Sequence, residues 1–177
     1  MVTARAPRIA TAGALVLVPA ALTDEDAGLV MRWRNDPVTR AVSFHGDEKT
    51  WPAFRGEYAG YFQGTPLAPR FGVVRGERVG FVRFRPCVDP EGLSATAVDI
   101  GVNVAPEARG RGVGTALLVA ASEVALAAAE VVLAEVRPGN NASTRAFLAA
   151  GYAPIDDGTH DVDGEPVPVL RYVLRRG

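Results

Sequence analysis

"VDIGVNVAPEARGRGVGTALL", residues 98–118, is the stretch on which the reading of this chain turns. It opens with alternating β-branched residues, which predicts a strand. Pro106 ends that strand. Five of the six residues from Arg109 to Gly114 are Arg or Gly. An Ala/Leu run then follows without a break and predicts a long helix over 112–129. A strand, a glycine-rich turn and a helix make an anion site by simple physics. The first N–H groups of a helix lack intrahelical partners, and the macrodipole adds positive potential there. Glycine lets the backbone approach an anion closely. Arg109 and Arg111 are expected to add mobile positive charge. The pattern is Arg-x-x-Gly-x-Gly, at Arg109, Gly112 and Gly114. It is neither the dinucleotide-binding G-x-G-x-x-G nor a P-loop, since no Gly-Lys-Ser/Thr follows. Taken alone, a solvated turn with incidental arginines accounts for these residues equally well.

The rest of the chain narrows the choice. Its 177 residues are 48% hydrophobic and 22% charged, with a formal net charge of −1. That balance predicts one soluble domain with a real core and gives no reason to expect nucleic acid. Cys87 is the single cysteine, so there is no disulfide framework, and a reducing, cytoplasmic setting fits. The opening "MVTARAPR" and "IATAGALVLVPAAL" resemble a short signal peptide. The preferred reading is a flexible tail over 1–13, a strand over 14–18, a break at Pro19 and a helix from Thr23. There "TDED" supplies an N-cap and an acidic first turn. Residues 14–177 then form a single domain, and no stretch is long enough to span a membrane.

Further along, a helix is expected over 24–35, followed by a polar, aromatic-dotted region of short helices and loops. Hairpin strands flank "RGE", a third strand covers about 95–104, and "VVLAEV" reads as a buried strand. "NNASTRAFLAAG" reads as a short helix stopped by Gly151. The chain closes as a strand, "VPVLRYVL", after the loop "DDGTHDVDGE". Strands and helices in this order imply a mixed sheet with helices packed on it.

In this context the opening stretch resembles the acyl-CoA-binding segment of the GCN5-related N-acetyltransferase (GNAT) superfamily. "VVLAEVRPGNNASTRAFLAAGY" is similar to that superfamily's next strand and helix, with the same spacing from Asn140 to Gly151–Tyr152. "DEDAGLVMRWRNDPVTRAVSF" resembles the first helix of a narrower group. That group holds ribosomal-protein and pseudaminic-acid-type amino-sugar N-acetyltransferases. The resemblance implies an α/β (α+β) GNAT fold: a mixed central sheet of about six to seven strands, helices on both faces, and a parallel strand pair that splays apart. It implies acetyl-CoA as cofactor, with the pantetheine arm against Val102 and Val104 and near Asn140. The pyrophosphate would sit on the N–H groups of Arg109, Gly110, Arg111, Gly112, Val113, Gly114 and Thr115.

Acyl transfer to an amine needs a base for the ammonium, a donor for the oxyanion and a proton for the thiolate. Asp99 aligns with the carboxylate that many members of the superfamily carry on this strand. It is the first candidate for the base, acting through a water; the alternative is that it orients substrate or pairs with an arginine. Many members carry a tyrosine four residues before the closing glycine. Phe147 stands there and has no proton to give. Ser143 matches a serine offered to the thiol in one branch, and it is equally well placed as a helix-capping hydroxyl. His45 is a second candidate for base or substrate ligand, and His160 lies in a solvated hairpin. Arg34, Asn35 and Trp51 are candidates for the acceptor site, with Tyr58 and Tyr61 behind them; the aromatics serve equally well as packing. The expected activity is acetyl transfer to a primary amine of a small molecule, an amino sugar or nucleotide-linked amino sugar. The alternatives are a protein N-terminal acetyltransferase and a non-catalytic acyl-CoA-binding module. A metal, a nucleic acid and a membrane are not expected, and the assembly is expected to be a monomer or homodimer.

Overall fold

A computed structural model describes residues 14–177; the expected tail over 1–13 lies outside the described residues. The chain runs β1 (Val16–Pro19), α1 (Asp24–Arg34), α2 (Pro37–Val42), α3 (Trp51–Gly60), β2 (Arg70–Val74), β3 (Glu77–Cys87) and β4 (Ala97–Val104). A 3₁₀ turn, Pro106–Ala108, then leads to α4 (Val113–Ala128), β5 (Val131–Val136) and α5 (Asn141–Ala149). The C-terminal strands are β6 (Ala153–Pro154), β7 (Gly158–Val162) and β8 (Glu165–Arg175). The sheet has eight strands in the order β1-β2-β3-β4-β5-β8-β6, with β7 paired to β8 outside this path. Two strands were not anticipated. β6 is only two residues long, and β7 is polar, carrying Thr, His and Asp where hydrophobic alternation would signal a strand. The "DDGTHDVDGE" segment is a hairpin, as the reading of His160 expected, turning at Asp163 and Gly164, both at positive φ.

Local chemistry sets the helix boundaries. The Thr23 side chain accepts a hydrogen bond from the Asp26 amide, and three acids fill the first turn of α1. Asp36 caps α2 in the same way, with Pro37 in its first turn. α5 ends before Gly151, whose φ of +93° suits only glycine well.

The two faces of the sheet are packed differently. Val82, Phe84, Val98, Ile100, Val132 and Ala134 pack with α4 and α5 in one core. Phe71 and Phe81 pack under α1 and α3 in a second. α4 comes very close to β2 and β3. A Cβ on Gly72 or Gly80 would lie 2.8 or 2.7 Å from Leu117, so these glycines make room for a fully buried leucine. Burying such a side chain is worth about 1.5–3 kcal/mol.

β4 and β5 are the only parallel neighbours among the described strands. Their pairing covers Ala97↔Val131, Val98↔Val132 and Asp99↔Leu133, and there it stops. β4 continues to Val104 held by β3 alone, and β5 continues to Val136 held by β8 alone. The two strands therefore part just past Asp99, and Ile100–Val104 faces a gap across from 134–136.

Candidate active site

Three regions meet where β4 and β5 part. The first is the Arg/Gly turn. Gly110 and Gly112 have φ of +72° and +76°, in the left-handed region. Gly112 is the N-cap residue of α4 and makes no side-chain cap. The Arg109 amide donates to Pro106 O at 3.5 Å. The amides of Gly110 through Thr115 donate to no acceptor among the described residues. Six consecutive amides are thus left without a partner in the turn. Gly114 faces Val104 and Ala146 at ordinary contact distance, which places the start of α4 between the end of β4 and α5. Free amides, a helix N-terminus and glycines in the left-handed region fit a diphosphate.

Of the two arginines of the turn, Arg109 is not a mobile charge. Arg109 is locked onto the start of α2: Nη1 lies 2.8 Å from Asp36 Oδ2, and Nη2 donates to Thr39 Oγ1 at 2.6 Å. Burial works to raise the Asp36 carboxyl pKa, but the Thr39 amide and Arg109 outweigh it and the net shift is downward. Arg111 lines a depression behind the turn with Glu25, Arg78 and Glu107. At the other end of α2, Arg137 donates to Ser43 O at 3.0 Å. The short helix α2 thus bridges from the turn after β4 to the loop after β5.

The second region is the face of the sheet opposite α4 and α5. Alternation along β4 buries Val98 and Ile100 on one side and places Asp99 on the other. Arg85 lies directly across from Asp99, and Arg83 across from Gly101. Asp99 Oδ2 accepts from Arg85 Nη2 at 2.9 Å and Nε at 3.2 Å, and from Arg83 Nη1 at 3.5 Å. Oδ1 accepts from none of the described residues. Arg83 reaches this position because Gly101 has no side chain; a Cβ there would lie 2.8 Å from its guanidinium. The guanidinium also sits 5.8 Å from the centre of the Tyr61 ring. The pairing of Asp99 with an arginine, left open by the sequence, is therefore present.

The third region closes this face from the side. Loop 43–49 meets the β7–β8 hairpin. Phe44 stacks on His160 with ring centres 4.8 Å apart, and His45 Nδ1 lies 3.7 Å from Asp163 Oδ2. His160 Nδ1 is 2.8 Å from Glu135, so it is a half-buried contact and not the solvated residue expected. Arg171 also approaches Glu135, at 3.4 Å, with its guanidinium laid over Gly158. Lys49 Nζ pairs with Glu57 at 2.9 Å, and the Tyr61 hydroxyl donates to Glu57 at 2.5 Å. Burial of Glu57 opposes its ionisation, yet Tyr61 and Lys49 hold the carboxyl below its usual range.

The other candidates fall into place as follows. Both amide atoms of Asn35 are bonded to the Lys49 main chain, at 2.7 and 2.9 Å, so Asn35 pins the loop. Trp51 and Tyr58 belong to the core under α1, with the Tyr58 hydroxyl donating to Ala21 O. Arg34, the last residue of α1, makes no hydrogen bond or ion pair among the described residues. The Asn140 side chain accepts from the Ser143 amide at 3.2 Å, which is the capping arrangement. Phe147 is buried against Tyr152 and stacked on Tyr172. His45 contacts the hairpin rim and has no contact with Asp99 among the described residues. Arg83, Arg85, Glu135 and Arg171 were not singled out from sequence. "VRFR" carries two arginines at strand period, but only the register with β4 shows which carboxylate they meet.

Comparison with known proteins agrees with this geometry. A profile of the acetyltransferase (GNAT) domain matches residues 15–153. The chain belongs to the GNAT acetyltransferase family. As a member it is an acetyl-CoA-dependent N-acyltransferase. Among solved structures it is similar to AAC(6')-Ib in complex with parmomycin and acetyl-CoA. The TM-score is 0.76 at 18% identity, over 92% of this chain and 94% of that one. It is also similar to a ribosomal-protein-alanine N-acetyltransferase from Brucella melitensis, with TM-score 0.69 and 19% identity over 91% and 99%. A third is described as a putative phosphinothricin N-acetyltransferase, with TM-score 0.69 and 17% identity over 92% and 99%. At these identities the likeness establishes the fold. No curated protein sequence matches the chain. Among the described residues no helix is long and apolar enough to cross a membrane.

Proposed function

We propose that this protein transfers an acetyl group to a primary amine of a small molecule of the amino-sugar class, free or nucleotide-linked. Transfer is by direct attack in a ternary complex. The observation that carries this reading is the position of Asp99, at the point where β4 and β5 part and on the face that loop 43–49 and the β7–β8 hairpin wall off from the side. Such a wall favours a small acceptor over a protein terminus, which needs an open-ended groove.

Acetyl-CoA, when bound, supplies the acetyl thioester. The amides of Gly110 to Thr115 would hold its diphosphate, and the backbone around Val102 and Val104 its pantetheine arm. Arg85 fixes Asp99 through Oδ2 and leaves Oδ1 to take the proton of the attacking ammonium, directly or through a water. Cys87 makes an acetyl-cysteine route unfavourable: burial, then Asp99 and Glu135, push its thiol pKa up to about 12. Phe147 has no hydroxyl for the leaving thiolate, so Ser143 or solvent must serve.

The test is a screen of amines with acetyl-CoA, read by thiol release. Amino sugars and their nucleotide-linked forms should release thiol faster than N-terminal peptides. If acetyl-CoA binds and no amine releases thiol, the chain is an acyl-CoA-binding module and the proposal is wrong.

A further inference from the structure

The charges around Asp99 do not balance. Five permanent cations, Arg34, Lys49, Arg83, Arg85 and Arg171, are gathered with three carboxylates, Glu57, Asp99 and Glu135. Lys49 is matched by Glu57, Arg85 by Asp99, and Arg171 by Glu135. His160 also leans on Glu135. Two guanidiniums are left over. Arg34 has no ion pair among the described residues. Arg83 has only a 3.5 Å contact with a carboxylate oxygen that Arg85 already occupies.

Both border one cluster. Arg83 lies 5.8 Å from the centre of the Tyr61 ring, whose hydroxyl donates to Glu57, the partner of Lys49. Arg34 directly precedes Asn35, which clamps the Lys49 main chain, and its charge is felt at both Glu57 and Arg83. Burial disfavours the charge on Arg83 most; Asp99 compensates in part, Arg85 then opposes it, and Arg34 adds a smaller repulsion. Two like charges held together in a half-buried place gain most from an anion that both can reach, and a guanidinium fork suits a carboxylate or phosphate. Nothing in the packing requires this arrangement. Arg34 ends a helix, where a lysine or glutamine would serve as well, and β4 carries Gly101 so that Arg83 can lie flat across it.

We propose that Arg34 and Arg83 bind an anionic group, a phosphate or a carboxylate, on the same acceptor whose amine is presented to Asp99. This rests on the proposed acceptor site and narrows its substrate class. The acceptor is an amine with an acidic arm, and a polycation is disfavoured, because it would bring more positive charge to two unmatched guanidiniums.

The experiment compares matched acceptors by kcat/KM in the thiol-release assay: glucosamine against glucosamine 6-phosphate, alaninamide against glutamate, and kanamycin as the polycation. The first pair reports phosphate and the second carboxylate. The anionic member of at least one pair should be preferred by roughly tenfold or more, the scale of one charge-assisted hydrogen bond. That preference should collapse in Arg34→Gln and return in part in Arg34→Lys. Equal use of the neutral members or of kanamycin, or a preference that survives Arg34→Gln, overturns the proposal. Calorimetric titration of glucosamine 6-phosphate and of glutamate into the CoA-saturated protein separates the two readings. Binding that Arg34→Gln weakens, with no thiol released from any amine, would leave the anion site standing and remove the acetyl-transfer function. The absence of both binding and anion preference removes the anion site itself.

Discussion

β4 serves both halves of the site, and it does so by opposite means. Beyond its C-terminal end, the proposed cofactor turn is made of main chain: consecutive amides from Gly110 to Thr115, set by two glycines in the left-handed region. In its middle, the proposed acceptor face is made of side chains drawn from α1, α3, β3, β5 and β8, with Asp99 at its centre. A main-chain site tolerates changes of side chain and fails when its backbone is bent. A side-chain site fails when one functional group is changed, even with the fold intact. The two halves should therefore respond to different substitutions.

The largest effect belongs to Asp99→Asn. It keeps the size of the side chain and an oxygen for Arg85, and it removes basicity. Turnover should fall roughly 10²–10⁴-fold, the range for a general base, with acetyl-CoA affinity nearly unchanged. Raising the pH should restore part of the rate, because free amine then forms without help. Near-normal turnover at neutral pH would move the base elsewhere, with His45 next to be tested.

The same contrast explains what the sequence made legible. The turn is local, so its glycines and arginines offered an anion cradle on equal terms with a solvated turn, and the family resemblance tipped the reading; two of those glycines are now seen at +72° and +76°. The parting of β4 and β5 came with the family resemblance, and the end of pairing at Asp99↔Leu133 bears it out. The partners of Asp99 could not be read. Arg85 is fourteen residues away, and it meets Asp99 only through the β3–β4 register. β7 was missed as a strand because it is polar: its His160 meets Glu135 and Phe44 where a typical strand would bury an apolar face. The clamp of Asn35 on Lys49 could not be read, because it spans a loop whose course no local pattern fixes.

Gly112→Val tests the cofactor half by its backbone. Nothing lies within 4 Å of a Cβ at this position, so crowding by the protein is not the issue. A φ of +76° is. A β-branched residue there costs about 1–2 kcal/mol in the left-handed region, or turns the amides away to escape it. Coenzyme A affinity should fall by about tenfold or more as the aligned amides are lost. Undiminished affinity by calorimetry, in a folded variant, would break the assignment of the turn.

Arg109→Ala should do less to the cofactor. Its guanidinium is engaged with Asp36 and Thr39, so the amide cradle survives its removal. Coenzyme A affinity should stay within about tenfold of the native value, the scale of one hydrogen bond to a charge. Acceptor KM should rise, because α2 loses its tie to the turn. A larger loss of coenzyme A binding than in Gly112→Val would mean that the cofactor half depends on a side chain after all, and the contrast drawn above would fail.

Phe147→Leu should have the smallest effect on chemistry. The ring lies 5.0 Å from Tyr152 in an edge contact and 5.9 Å from Tyr172 in a stacked one, and it belongs to the core under α4 and α5. A hydrophobic replacement of similar volume costs up to about 1.5 kcal/mol, here through lost ring contacts. Stability in urea should fall by that order, with the shape of the pH–rate profile unchanged. A basic limb that shifts or disappears while stability holds would show that this position governs proton delivery to the thiolate. The phenylalanine would then be tuning the chemistry of a neighbour, and the leading suspect would be the Tyr172 hydroxyl, which donates to Thr144 at 3.3 Å on the first turns of α5.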